Sequence, residues 1–140
     1  LICGENIEHT GEASVGSGLV ISHVPQSTGR LRGSLSAYAE KERIDESLFK
    51  AILRKMDFKR EQFEKDMSEF SEGQKKKVLI AGSLCRSAHL YVWDEPLNFI
   101  DIYSRMQIER LIEEFAPTMV FVEHDDEFRK RAAVREITIG

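Results

Sequence analysis

Apolar residues along this 140-residue chain follow two spacings, one of two residues and one near 3.6. Ala13 to Val15 and Leu19 to Ser22 are short apolar runs on either side of Gly16-Ser17-Gly18. That arrangement predicts an N-terminal β-hairpin, which Val24-Pro25 ends because proline has no N–H to donate. Residues 27 to 34, with Ser, Thr and Gly, predict a loop. From Ile44 the spacing becomes helical. Ile44, Leu48, Ala51, Ile52 and Met56 share one face, with Lys, Arg and Glu on the other. Lys59 to Met67 is more polar and predicts a shorter helix, and the mixed charges from Glu40 to Lys65 read as solvated faces.

Ser71 to Gln74 has the capping-box pattern, predicting a helix to about Arg86 that buries Val78, Ala81, Leu84 and Cys85. Leu90 to Trp93 is an all-apolar run ended by acids, the pattern of a central strand covered on both faces. Ser104, Ile108, Leu111, Ile112 and Phe115 make a helical stripe. After Pro117, Thr118 to Val122 predicts another strand, Asp126 to Ala133 a short helix, and Val134 to Ile139 a last strand. Strand alternating with helix defines the fold class as α/β with parallel core strands.

Composition narrows the function. A hydrophobic fraction of 41% with 31% charged residues suits a globular chain rather than a disordered one. Twenty Lys and Arg against 24 Asp and Glu leave a net charge of −4, which argues against direct nucleic-acid binding through a basic face. No apolar run is long enough to span a bilayer and no secretory leader opens the chain, so the expected location is cytoplasmic. Cys3 and Cys85 then read as reduced thiols. Leu1 to Gly4 resembles the last turn of a helix closed by glycine, and the expectation drawn from it is a fragment of a larger domain.

Three places could carry chemistry. Asp94 and Glu95 end an apolar strand, where open α/β sheets bind ligands; Asp there can hold Mg²⁺ and Glu can orient or deprotonate a water. An acid pair capping a loop would read the same way. Glu123-His124-Asp125 ends the next strand, so parallel pairing would bring His124 to the same edge, either to contact a phosphate or merely to start a helix. Phe70 to Lys75 puts Ser71 and Gly73 at a helix N-terminus, which suits an anion or an ordinary cap. Gly16-Ser17-Gly18 is followed by no Gly-Lys-Ser or Gly-Lys-Thr and is not a phosphate loop. The four histidines and two cysteines lack zinc-ligand spacing.

In order, these pieces resemble the ATP-binding cassette (ABC) ATPases. Val24-Pro25-Gln26 is similar to the family's glutamine loop, Phe70 to Gln74 to its signature motif, and Leu90 to Glu95 to its Walker B strand. Pro96 to Asp101 resembles the D-loop, and His124 the switch histidine. The wording Phe-Ser-Glu-Gly-Gln-Lys-Lys-Lys and Trp-Asp-Glu-Pro-Leu-Asn-Phe-Ile-Asp is most similar to the ABC-F branch, in particular the second ATPase domain of antibiotic-resistance ribosomal protection factors. Glu72 stands where the usual signature has its first glycine, as is common in that branch.

The resemblance implies a partial ABC ATPase domain of the P-loop NTPase type. Its parts would be a β remnant with the glutamine loop (1–26), a helical subdomain with the signature (27–86), and Walker B, D-loop and switch histidine (87–140). It implies ATP with Mg²⁺ as cofactor, Gln26 and Asp94 on the metal, Glu95 as catalytic carboxylate and His124 on the γ-phosphate. Ser71, Gly73, Gln74 and Asp101 would serve a nucleotide shared with a second ABC ATPase domain. The whole protein would act on the ribosome through segments outside this chain. The family's Walker A loop is missing from the sequence, which predicts weak ATP binding and no turnover by the chain alone. A truncated sheet edge predicts self-association. Alternatives are the ATPase subunit of an ABC transporter, a non-enzymatic α/β interaction module, and a metal-dependent phosphohydrolase built on Asp94, Glu95, Glu123, His124 and Asp125.

Overall fold

A computed structural model describes residues 2–8, 10–12, 14–133, 135 and 137. Strand β1 (Ile21–Val24) leads into helices α1 (Leu35–Glu42) and α2 (Glu46–Lys55), two 3₁₀ turns (Arg60–Glu64 and Met67–Glu69) and helix α3 (Glu72–Cys85). Then β2 (Leu90–Asp94), α4 (Ile102–Phe115), β3 (Met119–Val122) and α5 (Asp126–Ala132) alternate. The expected run from Val134 to Ile139 falls mostly outside the described residues.

The sheet has the order β1-β2-β3 and is parallel throughout. Ile21 pairs with Leu90 and Val24 with Trp93; Tyr91 pairs with Met119 and Asp94 with Val122. All three strands therefore run out at the same edge. The expected N-terminal β-hairpin is not formed: among the described residues, Ser14 to Val20 contain no strand. Gly18 does reverse the chain at φ 77°, but the chain beyond it pairs with β2 instead. The Val20 carbonyl already accepts from the His89 and Leu90 N–H groups at 2.8 and 3.3 Å. A local turn signal thus lost to a distant parallel partner.

Each α-helix begins on a Ser or Asp whose side chain accepts a backbone N–H: Ser34, Asp45, Ser71, Asp101 and Asp125. The α1 helix was not signalled by the apolar pattern, since it buries only Leu35 and Ala39. It fits against α3 because Gly82 has no Cβ, and one added there would lie 2.7 Å from the Tyr38 hydroxyl. The predicted helix over Lys59 to Met67 is two 3₁₀ turns, folded over an aromatic cluster in which Phe58 meets Phe63 and Phe70 edge to face. Phe49, Ile52, Leu53, Met56 and Met67 complete that core.

Helix α3 ties this helical part to the sheet. Ser22 and Ser83 share a 2.7 Å hydrogen bond, and the indole N–H of the single Trp93 donates to Ser83 Oγ at 2.9 Å. All three residues are buried, so each polar group needs the others. The β2 strand is central but covered fully only at Trp93; its other residues are half-buried, unlike the predicted strand with two covered faces. Val120 and Val122 of β3 are exposed, at the sheet's edge among the described residues.

Candidate functional site

Parallel strands place their C-terminal ends side by side, and three predicted site residues meet there. Gln26 lies two residues beyond β1; its Nε2 donates to Glu95 Oε2 at 3.0 Å. His124, two residues beyond β3, brings Nε2 to 3.3 Å from Glu95 Oε1. Both oxygens of the Glu95 carboxylate therefore face a nitrogen. Glu95 side-chain exposure is 21%, whereas that of His124 is 83%, so the acid is set back and the imidazole projects.

The backbone around Glu95 is unusual. Its φ is 46° and that of Phe99 is 63°, left-handed values that non-glycine residues rarely adopt. The Glu95 N–H extends the parallel ladder to the Val122 carbonyl at 2.9 Å. Glu123 Oε2 accepts the Leu97 N–H at 3.1 Å, and Arg105 Nε donates to the Ile100 carbonyl at 3.0 Å. Strained residues persist only where neighbours hold them, and such positions cluster at functional sites.

The acids around this cluster have distinct employments. Glu123 also accepts the N–H groups of His124 and Asp125, at 2.8 and 3.3 Å. Asp125 caps α5 through Phe128 and pairs with Arg105 at 2.8 Å. Both therefore hold loops, which weakens the phosphohydrolase alternative that needs them on a metal. No three His, Cys, Asp or Glu side chains converge as a metal group among the described residues. The Asp94 carboxylate, by contrast, accepts no hydrogen bond among the described residues. Because Gln26 gives its nitrogen to Glu95, its Oε1 is the atom left for a hard cation. Two chain oxygens, completed by water and phosphate, are what Mg²⁺ takes. The residues fit that ion.

The signature residues form a second group. Ser71 Oγ accepts the Gln74 N–H at 3.2 Å, and Gln74 Oε1 accepts the Ser71 N–H at 3.0 Å, closing the predicted box. Glu72 bonds the hydroxyl of buried Thr28, just past Gln26, and that bond holds its carboxyl below the usual range. Gly73 touches the D-loop-like segment: a Cβ there would meet the Phe99 carbonyl oxygen at 2.4 Å. Asp101 caps α4 through the Ser104 N–H at 2.9 Å and pairs with Lys77 at 2.9 Å. Helix α3 links the two groups: Ser71 caps it, Lys77 pairs with Asp101 and Lys76 reaches the strand-end carbonyls.

Lys76 and Lys77 were not legible as site residues, because consecutive lysines read as solvent-facing. A signal existed: Lys76 stands four residues before Ile80 and seven before Ser83, on the stripe that faces the sheet.

Strand ends that gather a carboxylate, an amide and an imidazole beside a capped helix define a parallel α/β domain with one candidate site at its strand ends. Residues 2–98 match the family model described as ABC transporter. The chain belongs to that family, and it is of the ABC-F type. ABC transporter F family member 2 of Arabidopsis thaliana is 33% identical over 97 residues, covering 69% of this chain and 14% of its own length. ATP-binding protein Uup of Buchnera aphidicola is 27% identical over 141 residues, covering 95% of this chain and 24% of its own. The chain therefore spans a quarter or less of these relatives. An archaeal ribosome recycling factor, solved in complex with a ribosomal stalk protein, shares the fold at a TM-score of 0.65. It is 24% identical, over 84% of this chain and 24% of that one. Among the described residues no helix is long and apolar enough to cross a membrane.

Proposed function

We propose that this chain is the hydrolytic part of an ABC-F ATPase domain that acts on the ribosome, in the manner of antibiotic-resistance ribosomal protection. The observation that carries the reading is the Glu95 carboxylate held between Gln26 and His124 at the common end of three parallel strands. Glu95 orients and deprotonates the water that attacks the γ-phosphate of ATP. Gln26 fixes that carboxylate through its amide nitrogen and offers its oxygen, with Asp94, to Mg²⁺. Bound there, Mg²⁺ would neutralise charge on the phosphate oxygens. His124, exposed and with Nε2 3.3 Å from the Glu95 carboxylate, reaches the γ-phosphate and senses its presence.

The Ser71 to Gln74 box lies at the start of a fourteen-residue helix, whose dipole favours an anion. On this reading it faces the nucleotide of a second ABC ATPase domain, with Asp101 holding the D-loop at the junction. The parts divide as 1–26, 27–86 and 87–140, in a protein of the cytoplasm. Ribosomal contact lies outside these residues, in keeping with the negative net charge.

The test is Glu95→Gln in the natural full-length protein. Hydrolysis should fall by about a hundredfold or more while ATP binding persists, and the ATP-loaded variant should co-sediment with ribosomes. Unchanged turnover would remove Glu95 from its role. Turnover loss without ribosome binding would reject the ribosome as the target.

A further inference from the structure

Lys76 is the most deeply buried ionisable side chain described, at 1% exposure, and its ammonium sits behind the candidate site. Nζ donates to the carbonyls of Pro25 at 2.9 Å, Gln26 at 3.1 Å and Asp94 at 3.4 Å. Those carbonyls belong to two neighbouring strand ends: Pro25 and Gln26 follow β1, and Asp94 closes β2. Parallel pairing ends there, since Pro25 has no N–H to continue the ladder. Three carbonyls at this edge need donors, and an ammonium has three hydrogens.

Removing an ammonium from water is costly, and what offsets that cost here is the hydrogen bonding of these three carbonyls. Burial draws the Lys76 amine downward, and the negative charges of Asp94, Glu95, Glu123 and Glu72 oppose that. The lysine thus sits where the acids that make up the site are concentrated, with its hydrogens directed at the backbone that carries them.

We propose that Lys76 is a positioning residue, its ammonium pinning the Pro25–Gln26 backbone to the end of β2 so that the Gln26 amide stays within hydrogen-bond distance of Glu95. The inference rests on the ATPase reading of the site. It also assigns α3 a task beyond carrying the signature box. The same helix that presents Ser71 holds the glutamine loop in register with the catalytic acid, through Lys76 on its next turn.

The test uses the natural full-length protein with Lys76→Met, Lys76→Arg, Gln26→Ala and the double variant Lys76→Met/Gln26→Ala. Without nucleotide, Lys76→Met should raise hydrogen exchange of the Leu31 amide, which donates to the Thr28 carbonyl at 3.2 Å in the same loop, about tenfold or more, while amides of α2 keep their wild-type rates. Its kcat should fall about tenfold or more with KM for ATP changed less than about threefold. In the Gln26→Ala background the same substitution should lower kcat little further, since both changes remove one contact. Lys76→Arg, which keeps charge and donors, should recover part of the protection at Leu31. Unchanged exchange at Leu31 in Lys76→Met overturns the proposal, and so does a fully additive loss in the double variant. If Lys76→Met does not fold, Lys76→Gln is read by the same exchange criterion. A wild-type protein that does not hydrolyse ATP defeats the proposed function instead, and the exchange measurement still decides whether Lys76 is the pin.

Discussion

Gln26 and Glu95, 69 positions apart in sequence, are joined by a 3.0 Å hydrogen bond across the ends of adjacent parallel strands. The direction of that bond matters. An amide nitrogen on the carboxylate keeps Glu95 aimed, and it leaves the amide oxygen for a cation. The pair makes the glutamine loop and the Walker B strand one unit.

His124 offers a separation of function from stability. Its side chain is 83% exposed and reaches Glu95 Oε1 at 3.3 Å. His124→Ala in the full-length protein should change unfolding free energy by no more than about 0.5 kcal/mol. Hydrolysis should drop about tenfold to a hundredfold. Steady-state turnover equal to wild type would make the imidazole a bystander.

Gly73 is required by packing as well as by any ligand. The 2.4 Å approach of a Cβ to the Phe99 carbonyl oxygen cannot be relieved by a side-chain rotation, because the obstacle is backbone. Gly73→Ala should cost about 1–3 kcal/mol in chemical denaturation. Gly29→Ala, at a site with ordinary clearance, is the control and should cost much less. Equal stability of the two variants would show that the D-loop segment yields freely.

Asp101 gives a pH dependence with a definite sign. Burial raises its carboxyl, but the Ser104 N–H, the Lys77 ammonium and the Ser104 hydroxyl together bring it down to about 2 from an ordinary 3.8. The native state therefore holds fewer protons at this position than the unfolded chain. Its stabilising effect is complete above the ordinary value and fades as pH falls toward about 2. Asp101→Ala should cost about 1 kcal/mol at pH 7 through the lost cap. Denaturation at stepped pH should show that difference narrowing between about 4 and 2, and a constant difference would refute the assignment.

Much of the sheet half was legible because its signals are strong and local. Leu90 to Trp93 and Thr118 to Val122 are short apolar runs that end in acids, and Ser71 and Gln74 stand at capping-box spacing. The residues at those strand ends followed, so Asp94, Glu95 and His124 could be placed at one edge before any coordinates. Gln26 was carried by resemblance, since a glutamine after Val-Pro has no local signature of its own. The hairpin misreading has the opposite cause: β1 is defined by β2, and nothing near Gly16 records that partner. Helix α1 escaped notice because Tyr38 packs on Phe49 while much of the rest of the helix faces water. Lys76 was hidden by its chemistry, as a lysine among three is read as solvated until its helical phase is traced.

The sheet's order also bears on how the site comes into being. Pairing β2 with β3 closes a loop less than half as long as pairing β1 with β2. Each doubling of a loop adds about 0.6 kcal/mol of closure entropy, and distant pairings form late. The β2-α4-β3-α5 segment is therefore expected to assemble first, with Glu95 and His124 already neighbours, and β1 to dock afterwards. Pulse-labelled exchange during refolding should protect Val120 before Ser22, and the reverse order would rule this out. Gln26 arrives with β1, so Glu95 gains its amide partner only at that last step, and a chain caught midway lacks the pair.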